Sequence, residues 1–118
     1  MIQRARRKMI YNQNNNKMNI TITEEGNQVI AMFDGRLDTV AAQQIEETLT
    51  PLLENADRTI ILDCEGMPFI SSSGLRIFLK IRKEASAKGG KMYLRNVCPD
   101  VQQVFKMTKL DNIFETID

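Results

Sequence analysis

The sequence predicts an α/β fold in which a mixed β-sheet, opened by an N-terminal hairpin, continues through right-handed βα units. Three observations carry that prediction. Two period-two runs stand close together near the start, later apolar runs are short and continuous, and amphipathic stretches of helical spacing separate them. Parallel strands joined by helices cross over with right-handed geometry.

The elements follow in order. Asn19-Ile20-Thr21-Ile22-Thr23 alternates with period two, Glu25-Gly26-Asn27-Gln28 supplies a turn, and Val29 to Phe33 forms the return strand of the hairpin. Asp34-Gly35 ends it. A first helix is predicted from about Val40 to Asn55, with Ile45, Leu49, Leu52 and Ala56 on one face and Asp38 or Thr39 as cap. Thr59-Ile60-Ile61-Leu62 is a continuous apolar run, as a central parallel strand covered on both faces requires.

Ser71, Ser72, Ser73 and Gly74 then lead into a second helix from about Ser73 to Ala87, which ends at Gly89-Gly90 where a positive φ costs little. Arg76, Lys80 and Lys83 form a basic stripe along it. Lys91 to Val97 reads as another strand. Pro99 at a first helical position starts a third helix through Val101, Val104, Phe105 and Thr108, and Ile113 to Ile117 closes as an edge strand. The order is ββαβαβαβ, which gathers functional loops at the carboxyl ends of the parallel strands.

Composition narrows the function classes. A chain of 118 residues with 42% hydrophobic content makes one domain with a core of its own. Cys64 and Cys98 lie in no CxxC, and there is no histidine, so neither a disulfide framework nor a zinc site is indicated and a reducing cytoplasm is expected. No apolar run approaches the roughly 20 residues of a membrane span. Residues 1–17 hold Arg4, Arg6, Arg7, Lys8 and Lys17 without an acid, leaving 11 basic and 15 acidic residues from Met18 onward, a net charge of −4. That Asn-rich stretch reads as a disordered basic arm, or as an extension upstream of a natural start at Met18, and residues 18–118 as the folded domain.

Enzymatic chemistry finds little support. Without histidine the usual Ser-His arrangement is excluded, and no Ser-x-x-Lys, GxGxxG or GxxxxGK[ST] occurs. No catalytic residue, metal or cofactor is assigned. The serine triplet has a plainer chemistry, since hydroxyls before a helix satisfy its free N–H groups and the helix dipole there favours a phosphate.

The two loops that leave strands and enter helices, Gly35-Arg36-Leu37-Asp38 and Ser71-Ser72-Ser73-Gly74-Leu75, resemble those of STAS-domain anti-sigma factor antagonists. In that family the first reads Gly-Glu-Leu/Ile-Asp and the second Asp-Ser-Ser/Thr-Gly-Leu, and the similarity of element order extends over Met18 to Asp118. The resemblance implies a STAS-like single domain that binds an anti-sigma factor doubling as a serine kinase, with ATP belonging to that partner and a phosphatase as a further one. Aligned on Gly74, Ser72 is the implied phosphorylation site, and Asp38, Ser71, Ser73, Gly74, Arg76 and Lys80 are the implied partner-binding residues. A cytoplasmic, bacterial regulator of sigma-factor-dependent transcription, monomeric when free, is the implied protein. Three positions depart from the family pattern: Ser71 replaces the acid before the phosphorylated serine, Arg36 replaces the acid of the first loop, and Lys109 stands at a helix-ending glycine.

Two other readings stay open. One is a STAS subunit of a lipid-transport or stress-signalling assembly that uses the same face without phosphorylation. The other is a nucleic-acid binder acting through the basic arm, although nucleic acid is not the expected partner.

Overall fold

The computed structural model describes residues 8–13 and 18–117. Its six strands are β1 (Lys8–Gln13), β2 (Met18–Glu25), β3 (Gln28–Gly35), β4 (Thr59–Gly66), β5 (Lys91–Arg95) and β6 (Thr116–Ile117), and they lie side by side in chain order. β1, β2 and β3 pair antiparallel, while β3–β4, β4–β5 and β5–β6 pair parallel. The sheet is mixed, and β2 and β3 form the hairpin that the periodicity predicts.

Helices α1 (Thr39–Ile45), α2 (Thr50–Glu54), α3 (Ser72–Ala87) and α4 (Pro99–Met107) connect the parallel strands. Met18, Ile20 and Ile22 of β2, Val29, Ala31 and Phe33 of β3, Ile60, Leu62 and Cys64 of β4, and Met92 and Leu94 of β5 alternate onto one sheet face. There they form a continuous core with the buried residues of all four helices. Phe33 packs on Phe78 of α3 at 5.5 Å between ring centroids, and Phe78 and Phe105 both contact Phe114. No helix among the described residues covers the opposite face. That face buries Ile30 and Ile61 outside that core and holds Thr23, 5% exposed, whose hydroxyl has no hydrogen-bond partner among the described residues.

Three elements differ from the sequence reading. The arm expected to be disordered is, over Lys8–Gln13, a strand paired with β2 from Lys8↔Glu24 to Gln13↔Ile20, with a bulge between Met9 and Tyr11. A compositional average across the arm hides Met9-Ile10-Tyr11, whose Ile10 and Tyr11 pack against the core and give the outer edge of β2 a partner. The rest of that arm, residues 1–7 and 14–17, lies outside the described residues.

The single helix expected over Val40–Asn55 is broken: a 3₁₀ turn at Glu46–Leu49 separates α1 from α2. Pro51 explains the break, since it has no N–H to bond back along the helix; the Thr50 hydroxyl donates to the Glu47 carbonyl instead, at 3.3 Å. The closing strand shrinks to Thr116–Ile117, because a turn spans the residues before Phe114 and that ring is drawn into the core. Lys109 takes the left-handed conformation, φ 61°, with the Leu110 N–H bonded back to the Phe105 carbonyl at 2.8 Å. A residue with a Cβ thus ends α4 in the manner usual for glycine.

Cys64 is fully buried and inert. Burial, reinforced by the charge of Asp63 and by Cys98, pushes its thiol up to about 12.

Asp63, at 7% exposure, anchors the carboxyl ends of β4 and β5 on the helix-free face. Its Oδ2 accepts from Arg95 Nε and Nη2 at 3.1 and 2.9 Å, its Oδ1 accepts from the Glu65 N–H at 3.0 Å, and the Asn96 amide donates to both oxygens at 3.3 Å. Burial alone would raise the Asp63 pKa, but these donors and the Arg95 charge outweigh it and hold the carboxyl below its ordinary value of 3.8. A lowered pKa stabilises the fold above the ordinary value, and the gain disappears as pH falls through the lower, folded one. Asp63→Asn should therefore cost about 2 kcal/mol at pH 7. Urea midpoints at pH 7 and pH 3 check this: the gap between variant and parent should narrow in acid, and a gap that widens would contradict the assignment.

Candidate functional site

Parallel pairing of β3 and β4 sends both chains out of the sheet at the same edge. From there Arg36-Leu37-Asp38 enters α1, and Met67 to Ser71 enters α3. A parallel bridge between Leu37 and Ile70 stitches the two loops: Leu37 N–H donates to the Phe69 carbonyl at 3.0 Å, and Ser71 N–H donates to the Leu37 carbonyl at 2.8 Å. Asp38 and the serine triplet are consequently neighbours, as expected from strand order. Leu37 and Ile70 are both buried beneath the seam.

Gly74 makes that closeness feasible. A Cβ on it would fall 2.8 Å from Ile70 Cγ1 and 2.8 Å from Leu37 Cγ, both tightly enclosed. The first turn of α3 can lie against the other loop only without a side chain there.

The three serines have three different situations. Ser71 is the cap of α3, its Oγ accepting from the Gly74 N–H at 3.2 Å, just as Asp38 Oδ1 caps α1 by accepting from the Ala41 N–H at 2.8 Å. Ser72 occupies the first helical position and is exposed. Ser73, half-buried, turns toward a groove of 270 Å³ between α1 and α3, lined also by Ala42, Gln43, Glu46, Arg76, Ile77 and Lys80. The cap is thus already filled, and the Ser72 hydroxyl has no hydrogen-bond partner among the described residues, at the positive end of a 16-residue helix.

Positive charge gathers around it. Arg76 is exposed one turn beyond Ser72, and Lys80 lies 3.9 Å from Glu46 with both side chains at least half exposed. Arg36 reaches from the first loop to the second, its guanidinium carbon 4.3 Å from the centre of the Phe69 ring. Val40, 45% exposed, adds an apolar surface in the first turn of α1. The residues that the resemblance implies for this face, Asp38, Ser71, Ser72, Ser73, Gly74, Arg76 and Lys80, all lie on the two loops, α3 or the groove. Phe69, Val40, Gln43 and Glu46 join them without a signal in the loop motifs. The Arg36–Phe69 stack had one visible signal, an arginine and an aromatic each two residues before a helix cap.

The family described as STAS domain matches residues 19–118. A candidate anti-sigma factor antagonist of Bordetella bronchiseptica, BtrV, is 29% identical over 97 residues, covering 82% of this chain and 84% of the relative. The solved structure of an anti-sigma factor antagonist candidate from Thermotoga maritima is similar in fold, with a TM-score of 0.76 at 24% identity over 84% of this chain and 86% of that one. The Bacillus cell-fate determinant SpoIIAA, solved in its phosphorylated form, has a TM-score of 0.63 at 25% identity, covering 84% of this chain and 91% of its own.

Proposed function

We propose, because this chain belongs to the STAS domain family, that it is an anti-sigma factor antagonist: a binding protein whose unmodified loop face docks an anti-sigma factor and so frees a sigma factor for transcription. Ser72 is the proposed switch, phosphorylated by a partner that is both anti-sigma factor and serine kinase and that brings the ATP. A phosphatase resets it. The reading places the protein in the bacterial cytoplasm, monomeric when free; no helix among the described residues is long and apolar enough to cross a membrane.

The observation that carries this reading is the exposed Ser72 hydroxyl at the first position of α3, with Ser71 already serving as cap and Asp38 held alongside by the Leu37–Ile70 seam. A phosphate at that position meets free N–H groups and the positive helix end, so the fold accommodates it. Its −1.5 to −2 charges, roughly, fall on the surface offered to the partner.

The test begins with the partner that co-purifies with the chain from its native cell. Incubation with that partner and ATP, followed by mass spectrometry of the peptide containing Phe69 to Arg76, should find one phosphate, on Ser72. Ser72→Ala should bind the partner and remain unmodified. A peptide unmodified in the parent protein, with a partner that still binds, would instead favour a STAS subunit that uses this face without phosphorylation.

A further inference from the structure

We infer that the partner face recognised here is rich in carboxylates and that Arg36 and Arg76 are the side chains that read it; this rests on the functional reading above. Local charge is the first reason. From Met18 onward the chain carries a net −4, yet Arg36, Arg76 and Lys83 are exposed around and beyond Ser72, and none has a carboxylate within ion-pairing distance among the described residues. Of the two acids flanking Arg36, Asp38 is engaged with the Ala41 N–H as a cap, and exposed Asp34, at the end of β3, makes no ion pair with Arg36 among the described residues. Glu46 approaches Lys80 only at 3.9 Å, with both side chains exposed, so solvent screens the pair.

Preorganisation is the second reason. Stacking on Phe69 holds the Arg36 guanidinium across the two loops, so little side-chain freedom is lost when a carboxylate meets its planar fork. Arg76 shares a helix face with Ser72 at i, i+4. Exposed Val40 supplies an apolar contact within the same face. An acidic surface with a small apolar centre is the complement of this arrangement.

Regulation follows from the same geometry. A phosphate on Ser72 lies within reach of Arg76 and takes the donors that partner carboxylates would otherwise use. Modification then removes a cation from the interface as well as adding negative charge.

The experiment uses the kinase that modifies Ser72, free of nucleotide, titrated against the parent protein, Arg36→Glu, Arg76→Glu and, as a control at the opposite end of the sheet, Lys91→Glu. Each arginine reversal should weaken binding roughly tenfold or more, most strongly at low salt, while Lys91→Glu stays within about twofold of the parent. All three positions are exposed, and Arg36→Glu gives up only its stack on Phe69, so unfolding should stay cooperative with a melting temperature within about 5 °C of the parent, which serves as the folding control. Arginine reversals that bind within about twofold of the parent would overturn the inference alone. Equal losses in all three variants would also overturn it, since net charge and not a defined surface would be responsible. A parent protein that binds no kinase overturns the functional reading and this inference with it.

Discussion

Gly90→Ala should be the most damaging single methyl addition in this protein, lowering stability by about 4 kcal/mol, a large share of the 5–15 typical of a domain. The Schellman end of α3 places it there: Gly89 takes φ +81°, Gly89 N–H bonds to the Ser86 carbonyl at 3.4 Å, and Gly90 N–H bonds to the Ala85 carbonyl at 2.8 Å. A Cβ on Gly90 would overlap the Ala56 carbonyl oxygen and stand 2.5 Å from that of Arg58. Both are backbone atoms at the entry to β4, and Lys91 N–H is itself bonded to the Arg58 carbonyl at 3.2 Å. No rotamer change relieves such a clash, so the start of β5 must move away from β4.

Gly89→Ala is the informative comparison. Its added methyl meets nothing within 4 Å, and its cost is the left-handed backbone alone, about 1 kcal/mol. Thermal melts of the two variants should therefore separate clearly, with Gly90→Ala much the lower. Equal shifts would mean that backbone conformation, not the strand junction, sets the requirement at both glycines.

The double glycine illustrates what the sequence makes legible. Gly89-Gly90 announces a helix end, but the two residues have different reasons for being glycine, and only the packing against Ala56 and Arg58 separates them. The serine triplet behaves likewise. Its position before a helix predicts capping, yet which hydroxyl caps depends on where the helix begins, and α3 begins at Ser72, one residue earlier than periodicity suggests. Ser71 is therefore the cap, which also explains why a serine can stand where the family carries an acid: either side chain accepts the Gly74 N–H.

Long-range features were least visible. Asp63 sits within an apolar run, and nothing local announces that Arg95 and Asn96, 32 and 33 positions away, will meet it. Parallel pairing of β4 with β5 puts Asp63 opposite Arg95, a register that no single segment specifies. The Arg36–Phe69 stack has the same origin, since it exists only because the Leu37–Ile70 bridge aligns two loops more than 30 residues apart. β1 was missed for a different reason: three apolar residues among charged and amide neighbours are a weak signal until the edge of β2 supplies a partner.

Separating stability from binding at adjacent serines is the sharpest test of the site. Ser72→Asp should weaken partner binding about a hundredfold, near 3 kcal/mol, while leaving the melting temperature unchanged or slightly raised. Ser72 contributes no cap, so its replacement removes no backbone partner, and a carboxylate in the first turn interacts favourably with the helix dipole. Ser71→Ala should do the reverse: with the Gly74 N–H left unpaired it should cost about 1 kcal/mol of stability and still permit phosphorylation of Ser72. Calorimetric titration with the partner, paired with thermal melts of both variants, reads the two effects independently. If Ser72→Asp bound as the parent does while Ser71→Asp lost affinity, the switch would belong to Ser71, and the helix cap itself would be the regulated group.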